Sequence, residues 1–337
     1  MTLVTEHVAE TTDQDFERLV APYRRELYAH CYRMLGSAHD AEDQVQEIYL
    51  RAWKGYDRFE GRSSLRTWLH RIATTACLTA LEKRGRRPLP TGLGGPTDAP
   101  EGALADRPEL PWLEPMPDAL GGVGESANDP GTVVTTRESV RLALVASLQY
   151  LQPRQRAVLI LRDVLRFSAA EVAQTLGTSV PAVNSLLQRA RAQLDRVTPD
   201  EETVPEPRSD QRETLTRYVS AFENYDISAL TELFTAEASF EMPPFATWVR
   251  GAGHIARLIA SHCPAEGPGD LAMEPASANG QPAFGMYLRA EDGMHRAFGI
   301  HVLEMSPEGV SHCTVFFDTT LFPLFGLPDA LNRTPKR

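Results

Sequence analysis

Residues 152–196, QPRQRAVLILRDVLRFSAAEVAQTLGTSVPAVNSLLQRARAQLDR, restrict the fold more than any other stretch of this 337-residue chain. Ser168-Ala-Ala-Glu171 fits a capping box, in which hydroxyl and carboxylate satisfy each other's backbone N–H groups. Val172, Ala173 and Leu176 then give a short apolar face, and Gly177 supplies a left-handed stop. A second start follows at Thr178 or Ser179, with Pro181 in the first turn, where its missing N–H costs nothing. Val183, Leu186, Leu187, Ala190 and Leu194 recur at helical spacing. The pattern predicts a helix-turn-helix. Its outer face carries Ala182, Asn184, Ser185, Gln188, Arg189 and Arg191, residue types that read base edges or hold phosphates.

An ordinary helical hairpin would share those caps, so charge has to decide. Residues 137–196 hold nine arginines against four acids, inside a chain of net charge −11. Residues 61–90 hold seven basic side chains against Glu82 alone. Two positive patches in acidic surroundings point to two DNA contacts at defined spacing rather than to a generally adhesive basic protein. The four cysteines lie far apart with no CxxC pair, which argues against a zinc site or disulfide scaffold and suits a reducing cytoplasm. No apolar run approaches the ~20 residues needed to cross a bilayer, and the acidic N-terminus lacks a signal peptide's apolar core. A cytoplasmic chain with no metal, cofactor or membrane contact is expected.

Residues 1–14 are expected to be disordered and 15–87 helical. Phe16, Leu19, Tyr23, Leu27, Cys31 and Met34 step by three or four and end at Gly36. Asp40 is placed to cap a second helix with Val45, Ile48, Tyr49, Ala52 and Trp53 as its apolar stripe. A third helix starts near Ser64 and buries Leu65, Trp68, Leu69, Ile72, Ala76 and Leu81. Trp53 and Trp68 read as core anchors. The loop YDRFEGRSS (56–64) mixes aromatic, guanidinium and small hydroxyl groups, a composition that suits unpaired bases.

With these residues in view, DAEDQVQEIYLRAWKGYDRFEGRSSLRTWLHRIATTACLTALEKRGRR (40–87) resembles region 2 of sigma-70 transcription initiation factors of the extracytoplasmic-function group. Residues 152–195 resemble region 4 of the same group. The resemblance implies two all-helical domains that bind core RNA polymerase and promoter DNA. It puts Asp43, Gln46, Glu47 and Arg51 against the β′ clamp helices. It gives Phe59, Arg62, Ser63 and Ser64 to capture of minus-ten bases, Arg71, Thr74 and Thr75 to the opening strand, and Arg84, Arg86 and Arg87 to phosphates. In region 4, beside the β-flap, Asn184, Ser185, Gln188 and Arg189 would read the minus-thirty-five element, with Arg154, Arg156 and Arg191 on phosphates. Such a factor binds and opens DNA; the polymerase performs the chemistry.

Residues 88–136 contain nine prolines, eight glycines and eight acids, which marks an acidic connector. PWLEPMPDAL (111–120) offers Trp112, Leu113, Met116 and Leu120 as docking points, and a docked segment is the preferred reading over a plain tether. Region 4 is expected over 137–197, a second connector over 198–210, and a third domain over 211–330. There, helices at 213–222 and 227–234 precede alternating segments at 238–242, 282–290, 295–305 and 310–318, an α+β arrangement of helices on one sheet. YVSAFENYDISALTELFTAEASFEMPPFATWVRGAGHIARLI and FDTTLFPLFGLP resemble the SnoaL-like branch of the NTF2-like cone. That resemblance implies a pocket, with Glu241, His254, His295, His301 and Asp318 as titratable candidates and Trp248 and Phe245 as wall. The favoured reading is a sigma factor, not an enzyme, whose cone modulates activity by contacting the connector or the first domain, with a small ligand in the cone pocket left open. The alternatives are a polymerase-independent DNA-binding regulator and a DNA-targeted small-molecule isomerase or cyclase. A polar, convergent pocket with a perturbed carboxylate favours the last; a closed apolar one counts against it.

Overall fold

The computed structural model describes residues 13–122, 139–197 and 209–333. The expected disordered N-terminus up to residue 12, residues 123–136 of the first connector and nearly all of the second connector (198–208) lie outside the described residues.

Four helices build the first bundle: α1 (Asp13–Val20), α2 (Arg24–Leu35), α3 (Ala38–Gly55) and α4 (Leu65–Leu81). The single helix expected from Phe16 to Met34 is two, because Pro22 sits in a 3-10 turn between them and cannot donate a helical hydrogen bond. Residues Leu27 to Leu35 of α2 are all buried. A helix covered all round belongs at the centre of a molecule. Gly36 stops it with φ of 70° and lies against Leu113 and Gln149, where a Cβ would meet side chains at about 3 Å. Ser37, not Asp40, caps α3 by accepting from the Asp40 N–H at 3.0 Å. Ser64 caps α4 the same way, accepting from the Thr67 N–H at 3.1 Å.

The second bundle comprises Leu142–Leu148, Pro153–Leu159 with a π-helical extension to Val164, Ala169–Leu176 and Val180–Val197. The capping box at Ser168 forms in both directions, and Gly177 takes φ of 57°. The connector between the bundles does not float. Leu113 and Met116 are fully buried, and a short helix α5 (Asp118–Gly121) follows.

The third part is one seven-stranded sheet: β1 (Phe234–Glu241), β2 (Trp248–Arg250), β3 (Leu271–Ala278), β4 (Gln281–Arg289), β5 (His295–Ser306), β6 (Gly309–Phe316) and β7 (Ala330–Leu331). Its order is β2-β1-β6-β5-β4-β3, with β7 on β5 and only the β1–β6 pair parallel. Helices Ser209–Glu223, Ile227–Leu233 and Ala252–His262 lie with this sheet and complete the expected α+β cone. Along β5, Ile300 and Val302 face the helical bundles while Leu303 and Met305 face the cone interior. Both faces are therefore covered, and the strands read as near-continuous apolar runs.

Candidate promoter and polymerase interface

On α3, Asp43, Gln46 and Arg51 are exposed and Glu47 is partly so, with Arg51 Nε donating to Glu47 Oε1 at 2.6 Å. Beside them lies an apolar strip that includes Trp53, which periodicity assigned to the core, and Leu50, which lies off that stripe. Leu50 is 55% exposed and Trp53 37% exposed. Together with Phe16, Val20 and Tyr49 they line a groove of about 660 Å³ that also reaches Gln46. Trp53 is thus half a core anchor: one edge meets the Phe16 ring at 5.2 Å and the other faces out.

The loop after α3 forms an aromatic stack. Phe59 lies 4.9 Å from the Trp68 ring and 6.3 Å from Tyr56, and it remains partly exposed. Further along the loop the Ser63 hydroxyl donates to the Ser64 carbonyl at 3.4 Å, and Arg62 leans on Glu60. Arg71 and Thr75 are exposed on one side of α4. Thr74 is not. It is fully buried, with its hydroxyl 3.1 Å from His30 Nε2, so it supports α4 from inside and does not face a strand in this arrangement. Arg84 and Arg87 converge on Asp40, Arg87 also donating to the Trp112 carbonyl at 2.8 Å. Arg86 stacks over the Tyr150 ring at 4.2 Å.

In the second bundle Asn184, Ser185, Gln188 and Arg189 are all exposed on one face of the helix Val180–Val197. Arg191 is forked on Asp163 at 2.7 and 2.9 Å. Arg154 donates to the Leu176 carbonyl at 2.6 Å and so closes the end of the preceding helix. Arg156 departs from the expected phosphate role: it is 3% exposed, donating to the Met34 carbonyl of α2, to Gln149 Oε1 at 2.9 Å and to the Leu151 carbonyl. Burial pulls its guanidinium down to about 10, which leaves it charged at neutral pH.

Arg156 is one of several ties between the bundles. Arg66 forks on Glu26, donates to the Leu165 carbonyl at 3.2 Å and covers the Phe167 ring at 4.7 Å. Thr67 donates to Glu171 at 3.2 Å, and Arg33 reaches the carbonyl and hydroxyl of Ser139. The cone joins the same seam through its Asn279-Gly280 hairpin, where both residues take positive φ as a two-residue turn of this type requires. The Asn279 carboxamide accepts from the Met116 N–H at 2.8 Å and donates to the Tyr32 hydroxyl at 2.8 Å and the Val140 carbonyl at 2.6 Å. One side chain thus ties the first bundle, the connector and the second bundle to the cone.

The residues expected to share a cone pocket are dispersed. His301 lines an apolar cavity of about 550 Å³ inside the cone, with Phe245 in its wall. Glu241 and Trp248 line a separate cavity of about 350 Å³ outside the sheet, against the connector and Tyr150. Glu241 is fully buried. Burial pushes its carboxyl up, but His312 at 2.8 Å and the Thr91 N–H at 2.9 Å outweigh that and hold it below the ordinary value. His254 contacts its own helix's entry at the Arg250 carbonyl, His295 contacts the Gly269 carbonyl, and Asp318 caps a 3-10 helix by accepting from the Thr320 N–H. Among the described residues, no three His, Cys, Asp or Glu side chains converge as a metal site, and no helix is long and apolar enough to cross a membrane.

Residues 19–87 match the family Sigma-70 region 2, and residues 141–194 match Sigma-70, region 4. Over 320 residues the chain is 60% identical to the ECF RNA polymerase sigma factor SigG of Mycobacterium tuberculosis, covering 94% of this chain and 85% of that one. This chain belongs to the ECF sigma factors. It is also 30% identical over 280 residues to SigJ of the same organism, covering 79% and 78% of the two chains. The crystal structure of M. tuberculosis SigJ shares the fold across 92% of this chain and 99% of its own, with a TM-score of 0.58 at 23% identity. As an ECF sigma factor the protein is a transcription initiation factor, and its two helical bundles are sigma regions 2 and 4 followed by the cone.

Proposed function

We propose that this sigma factor engages core RNA polymerase through the α3 face of Asp43, Gln46, Glu47 and Arg51, widened by Leu50 and Trp53. An exposed indole edge and leucine beside charged residues have the composition of an interface core with a polar rim. Phe59, Ser63 and Ser64 then take an extruded minus-ten base, Arg71 and Thr75 lie along the opening strand, and Arg84, Arg86 and Arg87 hold phosphates once released from Asp40 and Tyr150. Asn184, Ser185, Gln188 and Arg189 read the minus-thirty-five element.

The arrangement described here is the resting form. The observation that carries this reading is Arg156, a positive charge of a DNA-binding domain turned inward onto the Met34 carbonyl of region 2. A sigma factor must span two promoter elements, so the bundles have to part on loading, and parting frees Arg156 for a phosphate. The cone is a regulatory module that holds the bundles together through Asn279. Its apolar interior, with the perturbed carboxylate Glu241 lying in a different cavity, weighs against an acid–base enzyme. In vitro transcription with purified core polymerase over a promoter library tests this. Chain ended after Arg196 is expected to give more run-off product than full-length chain at limiting core, and equal output would remove the regulatory role. No product from either form would remove the polymerase-dependent reading.

A further inference from the structure

The cone cavity holds about 550 Å³, enough for a ligand of roughly ten to twenty heavy atoms on the scale of small-molecule sites. Phe222, Phe240, Leu258, Met286 and Phe298 make its wall overwhelmingly apolar. Of the polar residues that also line it (His262, Cys263, His301 and Thr319), His301 is the buried one. It is 1% exposed, its Nδ1 lies 2.8 Å from the Tyr218 hydroxyl, and its Nε2 is buried without a partner. An unpaired polar atom in an apolar cavity costs free energy unless a ligand completes it.

The neighbours of His301 decide what that atom offers. Burial pulls the ring down to about 3, so it is neutral at physiological pH. The Tyr218 oxygen also lies 3.4 Å from Cys313 Sγ, and burial pushes that thiol up to about 12, so it keeps its proton. Thiol sulfur is a weak acceptor and an imidazole nitrogen a strong one, so the tyrosine proton goes to His301 Nδ1 while the thiol donates to the tyrosine oxygen. The imidazole proton is then on Nε2, as a donor.

The cavity wall also includes Leu104, which comes from the connector between regions 2 and 4. The connector is laced to the cone on both sides of that residue. Pro100 O lies 3.0 Å from His262 Nε2, the Ala105 N–H donates to Thr247 Oγ1 at 2.8 Å, Ala105 O accepts from Ala246 at 2.7 Å, and the Arg107 N–H donates to the Pro244 carbonyl at 3.0 Å.

We propose that the cone cavity is a binding site for an uncharged, largely apolar small molecule carrying one acceptor oxygen, a ketone or ester, which takes the Nε2–H of His301 and packs against Leu104. Occupancy is thereby felt by the connector, a step that rests on the cone's regulatory reading; the binding itself does not.

The test uses the full chain and a propionyl-dimethylaminonaphthalene dye, an uncharged aryl ketone whose emission reports polarity. Saturable binding with a blue shift is expected, and its absence overturns the proposal. The dye's alkyl analogue, which lacks the carbonyl, is expected to compete about tenfold more weakly, the value of one hydrogen bond; equal competition overturns the role of His301. His301→Phe should weaken the dye by the same factor and leave the alkyl analogue unchanged. Ala297→Trp, which fills the cavity, should abolish binding while far-UV circular dichroism is retained, and undiminished binding would place the dye elsewhere. Saturating dye is expected to slow cleavage after Glu101 by a glutamate-specific protease. An unchanged rate, with binding intact, would overturn the link to the connector alone.

Discussion

Arg156 carries a positive charge into the seam between regions 2 and 4 with only carbonyl and carboxamide oxygens as its hydrogen-bond partners. Removing the guanidinium strands those acceptors in a dry interface. Arg156→Ala is therefore expected to cost about 3 kcal/mol in urea unfolding. Arg156→Lys should recover little of that, because an ammonium on a flexible stem does not reproduce a planar fork reaching three acceptors. A loss under about 1 kcal/mol for the alanine variant would mean the seam is wetter than described. Phe59 stands at the opposite extreme, partly exposed and leaning on Trp68, so its truncation should barely move stability. On its proposed role, its effect belongs to promoter opening. Stacking on one base is worth about 1–3 kcal/mol, so Phe59→Ala should lower run-off product from duplex promoters about tenfold or more. Templates with a premelted minus-ten element should lose much less, and equal losses on both would take Phe59 out of base capture.

Among the elements, the connector joins all three parts, and its docking has a pH signature. His39 at the start of α3 lies 3.0 Å from Glu114 of the connector and 3.3 Å from the Thr320 carbonyl of the cone. The Glu114 carboxylate raises the His39 imidazole to about 9, and burial only partly offsets it. A raised histidine contributes stability in full below its unfolded value of 6.5 and loses it as pH climbs through about 9. Glu114 is pushed up by burial but pulled further down by His39 and Ser37, so its contribution holds above 4.5 and fades as pH falls through its lowered value. The docked connector should resist the glutamate-specific protease best between pH 4.5 and 6.5. The difference between wild type and His39→Ala should shrink steadily from pH 6.5 upward and vanish past about pH 9; a pH-independent difference would show that the pair is not the joint. Much at this scale was legible beforehand: the capping box at Ser168, the glycine stops, the exposed face of the helix Val180–Val197 and the later strands all follow from local chemistry. What escaped was set by distant partners. Pro22 was overlooked inside an otherwise helical period. Trp53 was indistinguishable from core because periodicity cannot say whether a covering partner is part of the same chain, and Leu50 lies off the apolar stripe altogether. β2 and β3 were missed, the former too short to show alternation and the latter carrying Pro275. Asn279-Gly280 carries a strong hairpin signature, but the three long-range hydrogen bonds of the Asn279 carboxamide have no sequence signal at all. Thr74 and Arg156 were assigned outward because a polar side chain on a DNA-binding helix gives no sign of which bundle will later close over it.

At the scale of the whole molecule, regions 2 and 4 are held together by ties of different origin. The Arg66 fork and Arg156 join the bundles directly, whereas Asn279 joins both to the cone. Arg66 sits where charge reversal is most informative, since Arg66→Glu would face Glu26 and Glu171 with a third carboxylate. Alone it leaves Arg156 and the Asn279 hub in place, so the full chain should stay compact, with a radius of gyration of about 20 Å for 337 residues. Asn279→Ala alone should likewise leave the direct ties intact. Side chains that share one seam do not act additively, so the double variant should open where neither single one does, giving a larger radius in small-angle scattering. If the bundles must part before they can span a promoter, that same double variant should also exceed wild type in run-off transcription at limiting core polymerase. Restoring opposite charge by adding Glu26→Lys to the double variant should bring back the compact form. A double variant that stays at about 20 Å would mean that the buried Arg156 and the docked connector hold the resting form without help. A variant that expands without gaining activity would separate closure from control, and the regulatory role of the cone would then have to act after polymerase binding rather than before it.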